Sequence, residues 1–116
     1  MRTTSSSSAG VRWADPDGVE QAVLHLAEWL RRERTGIREI HWFGSWVNGT
    51  PTPSSDVDIC IIVDRDDRPA RERVPDYMPG RFRQPLDLMV LTDEEWAALP
   101  ETAPGLYRAI RAGRSL

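Results

Sequence analysis

Three aspartates and a glycine-serine turn are the groups in this chain best equipped for chemistry. They lie in GSWVNGTPTPSSDVD, residues 44–58, and at Asp87. Asp56 and Asp58 stand two positions apart at the start of an apolar run, a spacing that sends both side chains to one face of a strand. Two carboxylates side by side in apolar surroundings repel each other and lose hydration, which is costly unless a cation neutralises them. Hard oxygen donors favour Mg²⁺ or Mn²⁺ over zinc, whose nitrogen and sulfur ligands this region lacks. Gly44 and Ser45 open a turn whose N–H groups can face an anion, and a helix starting there would add its positive end to a phosphate site. Gly49 permits a tight return, while Pro51 and Pro53 stiffen the link to the next strand. Asp87, flanked by Leu86 and Leu88, is the only charge in its run. It completes a three-carboxylate cluster if its strand lies beside that of Asp58.

The elements that must deliver these groups are legible from periodicity. Asp15 can cap a helix, Pro16 suits its first position, and Val19, Ala22, Val23, Leu26 and Leu30 recur at helical spacing. Arg31, Arg32 and Arg34 sit in its last turns, where positive charge suits the helix dipole, and Gly36 ends it. Ile37–Phe43 reads as a strand running into Gly44. Val57–Val63 is a second strand, apolar except at Asp58 and so buried on both faces. Leu86–Leu91 is a third, after which Thr92 and Glu95 have the spacing of a capping box opening a short helix around Trp96. A last short helix spans Pro104–Ala112 and stops at Gly113. Helices alternating with strands predict an α/β domain with a small sheet. Between the second and third strands, residues 64–85 carry six arginines and five acids. Such a mixed run predicts a solvated loop or short exposed helix, the alternative being a mobile segment that touches a substrate or partner.

Taken together, Gly44, Ser45, Gly49, Ser55, Asp56, Asp58 and Asp87 resemble the nucleotidyltransferase family of the DNA polymerase beta type. Its motif is a GS turn, a second glycine four residues after the serine, a DxD and a third Asp on a later strand. The likeness covers roughly residues 16–116 and implies an α/β core, a small mixed sheet with flanking helices. By resemblance, Asp56, Asp58 and Asp87 would be catalytic and hold two Mg²⁺ ions, or Mn²⁺. Asp87 would also help deprotonate the acceptor, and Gly44, Ser45, Gly49 and Ser55 would bind the nucleotide. The implied reaction attacks the α-phosphate of a nucleoside triphosphate and releases pyrophosphate. Many small members carry Ala-Arg where this chain has Val47 and Asn48, and an uncharged Asn holds phosphate less strongly than Arg. The chain looks most like the minimal nucleotidyltransferase subgroup, antitoxins that transfer AMP from ATP to a tyrosine of a helical HEPN-type toxin. Competing expectations are an antitoxin that acts by occlusion, a transferase for a small-molecule acceptor such as an aminoglycoside, and one for a nucleic-acid end. A phosphatase of the haloacid dehalogenase type also starts from DxD. It ranks last, because Cys60 stands where that motif continues toward Thr or Val.

Composition narrows the field further. The 116 residues, 40% hydrophobic and 28% charged, allow one compact domain. MRTTSSSSAG, residues 1–10, has nothing to bury, so residues 1–14 are read as a disordered leader and 15–116 as the domain. A net charge of -3 argues against direct nucleic-acid binding. All fifteen basic residues are Arg, and the absence of Lys excludes P-loop and Schiff-base mechanisms. No run of about 18 apolar residues could form a membrane span. Lacking a signal-peptide stretch, and with Cys60 as the sole cysteine, the chain is expected in the cytoplasm. Any apolar surface on an open side of the sheet would serve a partner or homo-oligomer.

The remaining chemically able residues read as structural. His25 and His41 have no paired ligand spacing, and Cys60 within an apolar strand is a small buried hydrophobe. Asp64, Asp66 and Asp67 follow the far end of the second strand and are expected to be solvated. Trp42 is assigned to the core; for Trp46 the sequence leaves core packing and base stacking both open.

Overall fold

The computed structural model describes residues 15–116, so the leader expected over 1–14 lies outside the described residues. The first helix, α1, spans Pro16–Glu33. Asp15 accepts a hydrogen bond from the Gly18 amide at 3.1 Å, Pro16 fills the first position, and Val19, Val23, Leu26, Ala27 and Leu30 form the buried stripe. The helix stops three residues before Gly36, because Arg34 is already extended and Gly36, at φ 78°, turns the chain into the sheet.

Four strands, β1 (Ile37–Phe43), β2 (Val57–Val63), β3 (Leu86–Thr92) and β4 (Arg114–Ser115), form one sheet in the order β3-β2-β1-β4. β1 runs antiparallel to β2 and β4, and β2 runs parallel to β3, so the sheet is mixed as expected. The short β4 was not anticipated. It follows Gly113, where a side chain would collide with the backbone of Trp42 and Phe43.

The sheet is covered on both faces. On one, α1 packs with Ile40, Trp42, Val57, Ile59, Ile61, Val63, Leu88 and Val90. On the other, α4 (Asp93–Thr102) and α5 (Pro104–Arg111) bring Leu99 and Ile110 against Cys60 and Ile62. β2 feeds both clusters by strict alternation, which explains its nearly unbroken apolar run. The capping box opening α4 forms as predicted: Thr92 Oγ1 accepts from the Glu95 amide, and the Glu95 carboxylate accepts from the Thr92 amide. Large hydrophobic residues left exposed among the described residues are Leu24 and Met78.

The charged run at 64–85 does contain a short, largely exposed helix, but two of its residues turn inward. Parallel strands need a crossover connection, and this run supplies it, folding into α3 (Ala70–Tyr77) and burying Tyr77 and Arg73. The Arg73 side chain is 4% exposed. Its guanidinium donates to the carbonyls of Asp66, Arg68 and Val90 and to both oxygens of Glu95, at 2.6–3.2 Å. Asp66 is correspondingly only partly solvated. It lies under Arg68 at 2.7 Å, which holds its carboxyl down at about 2. Asp64 and Asp67 are exposed as expected.

Replacing Arg73 with Leu strands the Val90 and Asp66 carbonyls and leaves Glu95 without its partner, which should cost about 2–3 kcal/mol in urea unfolding at neutral pH. Hydrogen bonds from Arg73 hold the Glu95 carboxyl below its ordinary range. That stabilisation is present above the unfolded-state value and lost as pH falls through the depressed one. The difference from wild type should therefore shrink on acidification, and equal midpoints at pH 7 would show that the network carries no stability.

Candidate active site

β1 ends at Phe43, and Gly44, at φ 90°, swings the chain into the one-turn helix α2 (Ser45–Asn48). The Gly44 carbonyl accepts from the Val47 and Asn48 amides, and Gly49 closes the turn in the left-handed region at φ 82°. A side chain at Gly44 would overlap the Asp58 carboxylate, so the absence of one lets that carboxylate lie directly against the turn. The contact follows from register, since Phe43 pairs with Asp58 across the antiparallel β1–β2 ladder.

On the other side of β2, Asp58 pairs with Asp87 in the parallel ladder. Facing residues on neighbouring strands lie about 5 Å apart and project to the same face. Asp56 precedes β2 by one residue, near enough to Asp58 for its charge to act there. Burial raises the Asp58 carboxyl above the usual range, and the negative charges of Asp87 and then Asp56 push it further. Asp56 and Asp87 are exposed, and Asp58 is partly buried. Among the described residues, no three acidic, His or Cys side chains are drawn together tightly enough to grip an ion as they stand. The Asp58 carboxyl lies close enough to Asp87 and Asp56 to feel the charge of both.

The stretch from α2 to Asp56 is a hydrogen-bonded strap. The Ser55 hydroxyl accepts from the Thr52 amide at 2.8 Å, and the Ser55 amide donates to the Thr52 carbonyl. Ser55 thus shapes the loop, and anything its hydroxyl offers a nucleotide comes in addition. Trp46 is buried, and its indole N–H donates to the Ser55 carbonyl at 2.9 Å. Trp42 packs in the core as expected, with an indole N–H that has no partner among the described residues.

Residues 25–101 match the family model of the nucleotidyltransferase domain. The chain belongs to that family. A solved structure of a candidate nucleotidyltransferase from Sulfolobus solfataricus superposes with a TM-score of 0.56 at 20% identity, over 69% of this chain and 72% of that one. That likeness supports the fold alone. No curated protein matches the chain.

In this nucleotidyltransferase domain, the turn at Gly44 and Ser45, the glycine at 49 and the acids at 56, 58 and 87 occupy one end of the sheet. His41 does not join them. It is buried, stacks on Trp96 at 5.2 Å between ring centres and pairs with Glu39 at 2.7 Å. His25 lies exposed on α1, beside a cleft of about 860 Å³ lined by Trp29, Phe82 and Arg81 and by none of the three acids. The cleft lacks the carboxylates that could handle a phosphate-bound cation. Cys60 is fully buried, and burial pushes its thiol up to about 12. Gln84 was not anticipated. Its amide donates to the Pro53 carbonyl at 2.9 Å and reaches the Ser55 carbonyl at 3.4 Å, and nothing in sequence spacing marks it.

A carboxyl raised in the folded state weakens folding as pH climbs from its ordinary value through the raised one. With chelator present, Asp58→Asn should therefore melt above wild type at pH 8, the difference closing at acid pH. Added Mg²⁺ should raise the wild-type melting temperature and leave Asp58→Asn unmoved. An Asn variant that melts lower at every pH would show that the three acids do not strain one another.

Proposed function

We propose that this nucleotidyltransferase moves AMP from ATP to a hydroxyl acceptor, a tyrosine of a HEPN-type protein toxin, and acts as the antitoxin of that pair. The observation that carries the reading is Asp58 held in register with Asp87 while the Gly44 turn closes on its other side. An all-oxygen donor set whose central member is raised by burial and then by like charge is suited to divalent cations, Mg²⁺ first and Mn²⁺ next. Asp56, Asp58 and Asp87 would hold two such ions. Bound there, they would supply charge stabilisation to the entering and leaving oxygens of the transfer.

The chain's own groups then have distinct tasks. The free N–H groups at the start of α2, with the Ser45 hydroxyl, orient the triphosphate. Asp87, the more exposed of the paired acids, accepts the acceptor's proton. The acceptor oxygen bonds to the α-phosphorus as the bond to the bridging oxygen breaks, and pyrophosphate leaves with the electron pair. Because Asp56 and Asp87 are exposed, a side chain on the surface of another protein can reach them, which favours a protein acceptor over one needing a walled pocket. One observation favours a second reading, occlusion without efficient turnover: Asn48, exposed at the end of α2, offers an amide where an Arg would grip phosphate.

Incubation with α-labelled ATP, Mg²⁺ and a helical HEPN-type toxin tests the proposal. Wild type should label the toxin on tyrosine, and Asp56→Ala or Asp87→Ala should cut labelling by at least about 100-fold. Label on a small molecule or a nucleic-acid end instead would redirect the acceptor. An unlabelled toxin that an Asp56→Ala chain still neutralises in cells would establish occlusion.

A further inference from the structure

Asp56 lies outside the sheet ladder, one residue before β2, and nothing in the strand itself fixes its height above the sheet. Its position is set from the residue before it. Two side chains from different parts of the chain converge on the Ser55 carbonyl: the indole of Trp46, at 2.9 Å, and the carboxamide of Gln84, at 3.4 Å. Gln84 bonds more closely to the Pro53 carbonyl, at 2.9 Å, so it grips the strap at two points. The next residue after Gln84, Pro85, accepts from the Val57 amide at 2.8 Å, adding one rung ahead of the β2–β3 ladder. Trp46 belongs to the turn beside Asp58, and Gln84 lies three residues before Asp87. The Asp56 peptide is thus tied on one side to the turn and on the other to the strand of the third acid.

We infer that Gln84 and Trp46 are positioning residues, which set the Asp56 carboxylate relative to Asp58 and Asp87 by pinning the Ser55 carbonyl. The inference rests on the reading of the three acids as metal ligands. The Thr52–Ser55 turn holds its own internal shape through the Ser55 hydroxyl and amide, so loss of the clamp frees the strap to move as a unit and does not unravel it. Supporting groups of this kind change metal affinity without touching the ion, typically by 10–100-fold.

Mn²⁺ alone is the probe, with free ion followed by electron paramagnetic resonance and unfolding followed in chelator. Gln84→Leu, which keeps bulk and removes the donor, should weaken Mn²⁺ binding by about tenfold while its melting temperature in chelator stays close to wild type. Trp46→Phe, which removes the single N–H, should weaken binding in the same direction. The double variant should lose less than the product of the two single effects, because both act on one carbonyl. Asp58→Asn supplies the reference for a lost ligand. If wild type and both single variants bind Mn²⁺ equally while Asp58→Asn does not, the clamp is overturned and the metal site stands. If wild type fails to bind, or Asp58→Asn binds as well as wild type, the metal site falls and the inference falls with it.

Discussion

The parallel, in-register pairing of β2 with β3 is the constraint on which the rest depends. It sets Asp58 beside Asp87, and a slip of one residue would send Asp87 to the opposite face. Two like charges at that spacing repel by about 1–4 kcal/mol, depending on how much water reaches them. Against this, β2 alone buries Val57, Ile59, Cys60, Ile61, Ile62 and Val63, a set contributing roughly 10 kcal/mol. The apolar strand therefore dictates the register, and the acids are carried into proximity by a core that does not need them. Asp58 sits where this is tolerable, at the end of the strand, with neighbours open to solvent.

That same pairing explains what the sequence showed and what it concealed. β1 and β2 have the bounds read from their apolar runs, β3 extends one residue further to Thr92, and the capping box at Thr92 and Glu95 forms as its spacing indicates. Each is a local signal, set by residues within a few positions of one another. The role of residues 64–85 was hidden because it is imposed from outside. Two parallel strands require a crossover whatever its composition, and the crossover buries one arginine of six by giving its guanidinium carbonyls from three separate places and the carboxylate of Glu95. No window of sequence distinguishes Arg73 from Arg71. β4 escaped notice for a related reason, since two residues carry no period and pair only because Gly113 lets the chain pass close to Trp42.

The candidate site was legible to the extent that its groups are consecutive. Gly44, Ser45, Gly49, Asp56 and Asp58 fall in one stretch, and Asp87 stood out as the only charge in an apolar run. The hydrogen bonds that shape the stretch were not legible. Gln84 and Trp46 act through carbonyls, which every residue possesses, so side-chain identity at the receiving end gives no clue. Ser55 shows the converse, a residue marked by resemblance for nucleotide binding whose hydroxyl is engaged in the local turn.

Strand direction decides which end of the sheet can do chemistry. Open α/β sheets usually bind ligands beyond the carboxyl ends of their parallel strands. Here that end is occupied by Arg73, which joins Asp66, Val90 and Glu95 and ties α3 to the start of α4. At the opposite end, β2 and β3 begin with their acids. A parallel neighbour would bring only another strand start there, but β1 is antiparallel and brings its terminus, with the turn at Gly44. The reversal thus sets amide donors that attract phosphate against carboxylates that attract cations. On the proposed reading a metal-bound triphosphate would need both groups, and one change of strand direction brings them to a single end of the sheet.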